Sequence, residues 1–146
     1  MIRPIEKKDR EAYLKMAEFF YNSNAVLSPV PKENFEKTFE LLLAENPYAE
    51  GYILEKDSLP CGYALLAKTW SQEAGGLTVW VEEIFVSPEM RGLGLGKEFF
   101  TFLESRYQNA AKRFRLEVED ENEGAVRLYK SLGFEFFPYK QMKKEF

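Results

Sequence analysis

Residues 83–97 read EIFVSPEMRGLGLGK. Apolar, strand-forming residues run into Pro88, glycines follow at positions 92, 94 and 96, and a helix-forming segment begins at once. Glycines at a strand-to-helix turn let backbone N–H groups converge with no side chain between them, and the first turn of the helix adds the positive end of its dipole. Such a nest suits a phosphate. Two nucleotide fingerprints nevertheless fail on spacing. Three residues separate Gly92 from Gly96 where a nucleotide P-loop has four, and Glu98 follows Lys97 where a magnesium-binding Ser or Thr is needed. The dinucleotide pattern, counted from Gly94 and Gly96, reaches Phe99 instead of a third glycine. What remains is Arg91-x-x-Gly94-x-Gly96.

Downstream, residues 97 to about 110 set Phe99, Phe102, Leu103 and Ala110 on one side, an amphipathic helix. RFRLEVE (113–119) alternates Phe114, Leu116 and Val118 with charges, a half-buried strand. A second helix opens at Asn122, carries Ala125, Leu128, Tyr129 and Leu132 at helical spacing, and closes on Gly133. FEFFPYKQM (134–142) is expected to be a last strand, interrupted or edged by Pro138.

Upstream, LTVWVEEIFV (77–86) and two runs about an Asp57-Ser58 turn predict an antiparallel meander from Gly51. Before it, Tyr13, Met16, Ala17 and Phe20 follow Asp9 as N-cap, and NSN (22–24) ends that helix. A further helix follows SPVPKEN (28–34), with Phe35, Phe39, Leu42 and Leu43 on its stripe and Asn46-Pro47 as its stop. MIRPI (1–5) is a short first strand. Strand, helix and strand from Thr78 to Val118 make a right-handed crossover, so those two strands are parallel, and ligands bind at their carboxyl ends. The glycine stretch lies at that end.

The 146 residues form a single domain, 1–146, of α/β class. No long apolar run and no N-terminal apolar segment are present, so neither membrane span nor signal peptide is expected and the cytoplasm is the default compartment. One cysteine and no histidine exclude an internal disulfide, a cysteine-rich zinc site and the commonest general base. Acid–base chemistry must use Glu, Asp, Tyr, Lys or backbone groups. A net charge of -4 argues against nucleic acid as the main partner and suits a cationic substrate. Cys61, after Pro60 and with no histidine to activate it, reads as a small buried residue.

Both EEIFVSPEMRGLGLGKEFF (82–100) and NEGAVRLYKSLGFE (122–135) resemble signatures of the GCN5-related N-acetyltransferase (GNAT) superfamily: Arg/Gln-x-x-Gly-x-Gly/Ala in the first, and an Asn, a Tyr-bearing helix and Gly-Phe in the second. The resemblance covers residues 81–135, and no family motif lies in the first 50, the region that in this superfamily usually shapes the acceptor site. It implies a mixed central sheet of six to seven strands flanked by about four helices. It also implies direct acetyl transfer from acetyl-CoA to an amine, without a metal, and a homodimer.

By the same resemblance, the amides of Arg91, Gly92, Leu93, Gly94, Leu95, Gly96 and Lys97 hold the pyrophosphate, and backbone groups of Phe85 and Val86 hold the pantetheine arm and polarise the thioester. Asn122 is an N-cap or also a contact to that arm. Tyr129, two helical turns on, protonates the leaving thiolate. Lys97 adds charge near a phosphate or is merely solvated. Glu82 and Glu83 sit side by side in a strand, where alternation sends one each way. On the analogy of polyamine- and diamine-acetylating members, in which an acidic pair occupies this place, Glu82 is favoured, with Glu83 next, as the group that deprotonates the acceptor amine, directly or through water, or attracts it. The expected partners are acetyl-CoA and a small cationic amine. A protein N-terminus as acceptor and a non-catalytic CoA-binding module are the alternatives.

Overall fold

A computed structural model of the chain describes residues 1–23 and 30–146. NSN (22–24) and SPVPKEN (28–34) fall partly on residues 24–29, outside the described residues. The elements run β1 (Ile2–Pro4), α1 (Arg10–Tyr21), α2 (Lys32–Leu43), β2 (Ala49–Lys56), β3 (Leu59–Ser71), β4 (Gly76–Val86), α3 (Leu95–Tyr107), β5 (Ala111–Leu116) and α4 (Glu123–Ser131). Among the described residues no helix is long and apolar enough to cross a membrane.

The strands form one sheet in the order β1-β2-β3-β4-β5, antiparallel from β1 to β4 and parallel between β4 and β5. The meander and the crossover are those the sequence pattern predicts. At the β2–β3 hairpin Asp57 and Ser58 both take positive φ, 50° and 64°, the twist that a two-residue turn between right-handed strands requires.

Alternation along the strands supplies two cores. Tyr52, Leu54, Leu66, Val79 and Val81 meet Leu95, Phe99, Phe100 and Leu103 of α3 on one face. Ile53, Tyr63 and Phe85 meet Tyr13, Met16 and Ala17 of α1 and Phe35 and Phe39 of α2 on the other. Each fully buried side chain of this size contributes about 1.5–3 kcal/mol.

Two expectations are corrected. The sheet has five strands among the described residues, not six to seven, because residues 134–146 form no ladder. Pro138 has no N–H to give, and Phe137 is held through its ring, 5.0 Å from the Arg113 guanidinium and 4.8 Å from that of Arg115. Asp9 precedes α1 but does not cap it through its side chain. Its carboxylate instead accepts two bonds from Arg3, at 2.7 and 2.8 Å, and one from the Glu6 N–H at 2.8 Å. Arg3 also reaches Glu55, at 2.6 Å, so this buried ion cluster ties β1 to β2.

Candidate active site

Strand β4 carries the site because its two neighbours treat it differently. Pairing with β5 ends at Val81↔Leu116, whereas pairing with β3 continues to Val86↔Gly62. From Glu82 onward one edge of β4 is therefore open. The Ser87 N–H bonds Cys61 O at 2.8 Å, so alternation along an antiparallel ladder turns Glu83 and Phe85 toward β3 and the backbone groups of Ile84 and Val86 toward the open edge. Arg91, at the start of the glycine stretch, spans that edge, donating from Nε to Val86 O at 3.0 Å. Phe85, expected to offer its backbone here, has it committed to β3, and its ring is buried against Phe19, Phe20 and Tyr63.

Glu82 is an inserted residue. Leu65 pairs with Glu83 and Leu66 with Val81, leaving Glu82 opposite no partner, a β-bulge. The phase of burial records the insertion: Val79 and Val81 lie in one core, and so do Ile84 and Val86, three residues on rather than two. The expectation that Glu82 and Glu83 face opposite ways is thereby corrected, because the extra residue brings both to the α1–α2 face. Burial first, then the charge and hydrogen bond of Glu83, and least the charge of Glu82 raise the pKa of Tyr21, the last residue of α1.

The two carboxylates have different surroundings. Glu83 accepts hydrogen bonds from Tyr21 and, at 2.6 Å, from Tyr63. Burial pushes its pKa above the ordinary carboxylate range, and the two phenols only partly oppose that. Glu82 is exposed and makes no hydrogen bond among the described residues. Partial desolvation, then the Glu117 carboxylate just past β5, then Glu83, raise its pKa as well.

The glycine stretch has the form its residues require. Gly92 and Gly94 take φ of 76° and 84°, a region that L side chains enter at a cost of about 1–2 kcal/mol. Helix α3 begins at Leu95, two residues earlier than the sequence pattern suggests, with Gly94 as N-cap and no side chain capping it. Its first amides are left free for an anion. Buried Leu95 anchors the turn while Leu93 points outward, 61% exposed. Gly96 lies against α4, where a Cβ would come 3.1 Å from Leu128 Cδ2. Lys97 borders a shallow cleft with Ile2, Glu98 and Thr101.

Asn122 caps α4, accepting the Ala125 N–H at 3.3 Å. Tyr129 packs edge-on to Phe100 at 5.6 Å in the α3 core, its hydroxyl has no hydrogen-bond partner among the described residues, and burial raises its pKa. Tyr129 and Glu83 thus lie on opposite faces of the sheet, and the gap beyond Val81↔Leu116 joins those faces. Cys61 is buried, its thiol donating to Leu54 O at 3.4 Å and its pKa pushed up by burial, which suits a packing role. Sequence reasoning missed Tyr21, Tyr63 and Glu117. Tyr21 alone carried a signal, as an aromatic at the end of an amphipathic helix.

The sequence model of the acetyltransferase (GNAT) family matches residues 11–134. The chain belongs to the acetyltransferase (GNAT) family. This GNAT chain is 37% identical over 99 residues to a thialysine N-epsilon-acetyltransferase of Mus musculus, an alignment covering 65% of the chain and 55% of that relative. The chain thus spans little more than half the length of that relative. In fold it is similar to an aminoglycoside N-acetyltransferase, AAC(6')-Iy, solved in complex with CoA (TM-score 0.79, 17% identity, 99% and 93% of the two chains). A ribosomal-protein-alanine N-acetyltransferase of Brucella melitensis biovar Abortus 2308 is comparable (TM-score 0.77, 16% identity, 100% and 99%). The acceptors named for these proteins differ in kind, while the fold is shared.

Proposed function

We propose that this GNAT chain is an acetyl-CoA-dependent N-acetyltransferase that passes the acetyl group directly to a primary amine, a small cationic one. The observation that carries the reading is the β4 edge left open beyond Val81, with the glycine stretch at one end and two carboxylates at the other.

The residues present fit the donor. Free amides at the start of α3, after two glycines of positive φ, suit a pyrophosphate. The open edge offers the N–H and C=O of Ile84 and the N–H of Val86, whose C=O holds Arg91, to an extended amide-bearing arm, as a strand would. Bound acetyl-CoA supplies a thioester, an acetyl group already activated toward an amine. The chain's own part is orientation and proton movement.

On the α1–α2 face, Glu82 and Glu83 attract an ammonium group and accept its proton, so that the nitrogen lone pair is free. On the α3 face, Tyr129 returns a proton to the departing sulfur, a role open to a hydroxyl with no hydrogen-bond partner among the described residues. Asn122 and Arg91 brace the loop and helix that border the gap. The carboxylates, with no lysine or arginine hydrogen-bonded to either among the described residues, favour a cationic acceptor.

Release of free thiol from acetyl-CoA, measured over polyamines, amino acids, aminoglycosides and peptide N-termini, tests this reading. Turnover with small cationic amines is expected. Turnover confined to peptide N-termini would transfer the reading to a protein substrate, and tight CoA binding with no turnover would make the chain a binding module.

A further inference from the structure

Phe114 and Leu116 pack in the α3 core, so alternation turns Arg113 and Arg115 of β5 to the α1–α2 face, where Glu82 and Glu83 stand. The two arginines are engaged differently. Arg113 pairs with the Glu73 carboxylate at 3.1 Å. The half-buried Arg115 guanidinium lies over the Trp80 ring, 4.0 Å from its centroid, and over the Phe137 ring at 4.8 Å. No carboxylate or carbonyl takes its donors among the described residues. Rings packed on a guanidinium cover its faces and fix its plane, whereas its N–H donors point outward in that plane. A fork held in this way loses little further freedom when a carboxylate takes it.

Its place in the sheet selects the chemistry of a ligand. Trp80↔Arg115 is the last pair but one before β4 and β5 separate. Glu117 follows two residues on, about 6–7 Å along a strand, and its charge reaches Glu82 across the gap. One end of this face therefore holds three carboxylates, Glu82, Glu83 and Glu117, and the other an unpaired guanidinium. A polyamine would set a second ammonium group beside Arg115, where like charges repel. An amino acid with a side-chain amine meets both ends, its ammonium groups at the carboxylates and its carboxylate at the fork.

We infer, resting on the acetyl-transfer reading above, that Arg115 binds the carboxylate of the acceptor, and that the acceptor is a free amino acid bearing a side-chain amine. The side-chain amine lies at the gap beyond Val81↔Leu116, and the α-carboxylate takes the Arg115 fork as a bidentate pair. Trp80 of β4 and Phe137 of the C-terminal segment hold the fork in place. Arg115 binds and orients the acceptor and takes no part in the bond changes at its nitrogen.

The experiment compares kcat/KM, by thiol release from acetyl-CoA, for L-lysine, for cadaverine, which is lysine without its carboxylate, and for L-lysinamide, in which that group is neutral. The wild-type chain should prefer L-lysine to both by about 10–100-fold, the worth of a charge-assisted bidentate pair. Arg115→Met keeps an unbranched stem against Trp80 and Phe137 and removes the donors, so the preference should fall to near unity. The loss should lie in KM for L-lysine more than in kcat, because the carboxylate is remote from the reacting nitrogen. Arg115→Lys, which keeps the charge without the fork, should retain part of the preference. A wild-type chain that uses cadaverine or L-lysinamide as well as L-lysine overturns the inference. So does an Arg115→Met chain whose preference is intact, which would leave Arg115 a packing role only. The first comparison needs no variant and therefore reads even if Arg115→Met fails to fold. A wild-type chain that releases no thiol with any amine defeats the acetyl-transfer reading instead, a result distinct from an active chain indifferent to the carboxylate.

Discussion

Val81 and Leu116 are the last residues to face each other across the parallel β4–β5 ladder. One step later the bulge at Glu82 shifts β4, and the two strands part. The separation leaves the N–H and C=O of Ile84 and the N–H of Val86 without a ladder partner, while Val86 O is taken by Arg91 Nε.

Amide exchange reads this directly. The N–H groups of Ile84 and Val86, turned to the open edge, should exchange with deuterium faster than that of Phe85, which is in the β3 ladder. Adding CoA should protect them. Equal protection of all three residues in the free chain would show that the edge is already closed.

Gly94 stands at φ 84° immediately before α3. Gly94→Val puts a β-branched side chain where the backbone must stay left-handed, straining the turn by about 1–2 kcal/mol. KM for acetyl-CoA should rise with kcat much less affected. A collapse of kcat with unchanged CoA affinity would remove the loop from donor binding.

Tyr129→Phe keeps the ring that packs on Phe100 and deletes a hydroxyl with no protein partner among the described residues. Stability by urea denaturation should therefore be within about 0.5 kcal/mol of the wild type. A thiol with an ordinary pKa near 8.5 leaves tolerably without help, so kcat should fall by about 10²-fold rather than vanish. An unchanged kcat would exclude Tyr129 as the acid.

Away from the site, Glu50 gathers Tyr52 at 2.5 Å, Lys68 at 3.0 Å and Arg106 at 3.2 Å. Burial alone would raise its pKa, but the hydrogen bonds from Tyr52 and Lys68 and the charge of Arg106 outweigh it and bring the group from 4.5 down to about 2. A depressed carboxylate adds stability that is present above its unfolded pKa and is lost as pH falls through the folded one. Glu50→Gln should therefore flatten the loss of stability between about pH 5 and pH 2 and lower stability at neutral pH. Parallel acid-denaturation curves for variant and wild type would contradict this.

Local patterns decided much of the molecule. Helical spacing of Phe35 with Phe39, and of Ala125 with Leu128 and Tyr129, required only the periodicity of the chain, and the Asp57-Ser58 turn only its two residues. The glycine stretch was legible because the conformation it needs belongs to glycine itself, and counting its spacing removed both nucleotide fingerprints. Glu82 and Glu83 were legible as a pair but not as to face. Their orientation depends on a register shift between β3 and β4, and alternation read along one strand cannot register an inserted residue. The hydroxyls that clamp Glu83 come from residues 62 and 20 positions away in the chain. The final strand expected over 134–142 failed for a similar reason: a ladder is decided by how two distant segments meet, and Phe137 meets β5 through its ring on Arg113 and Arg115 instead of through its backbone. Sequence alone thus determined the elements, the loop and the family resemblance, since these rest on neighbours within a few residues. Tertiary structure alone decided where β4 opens, which carboxylate is held and which is left free, because those depend on strands meeting across long stretches of chain.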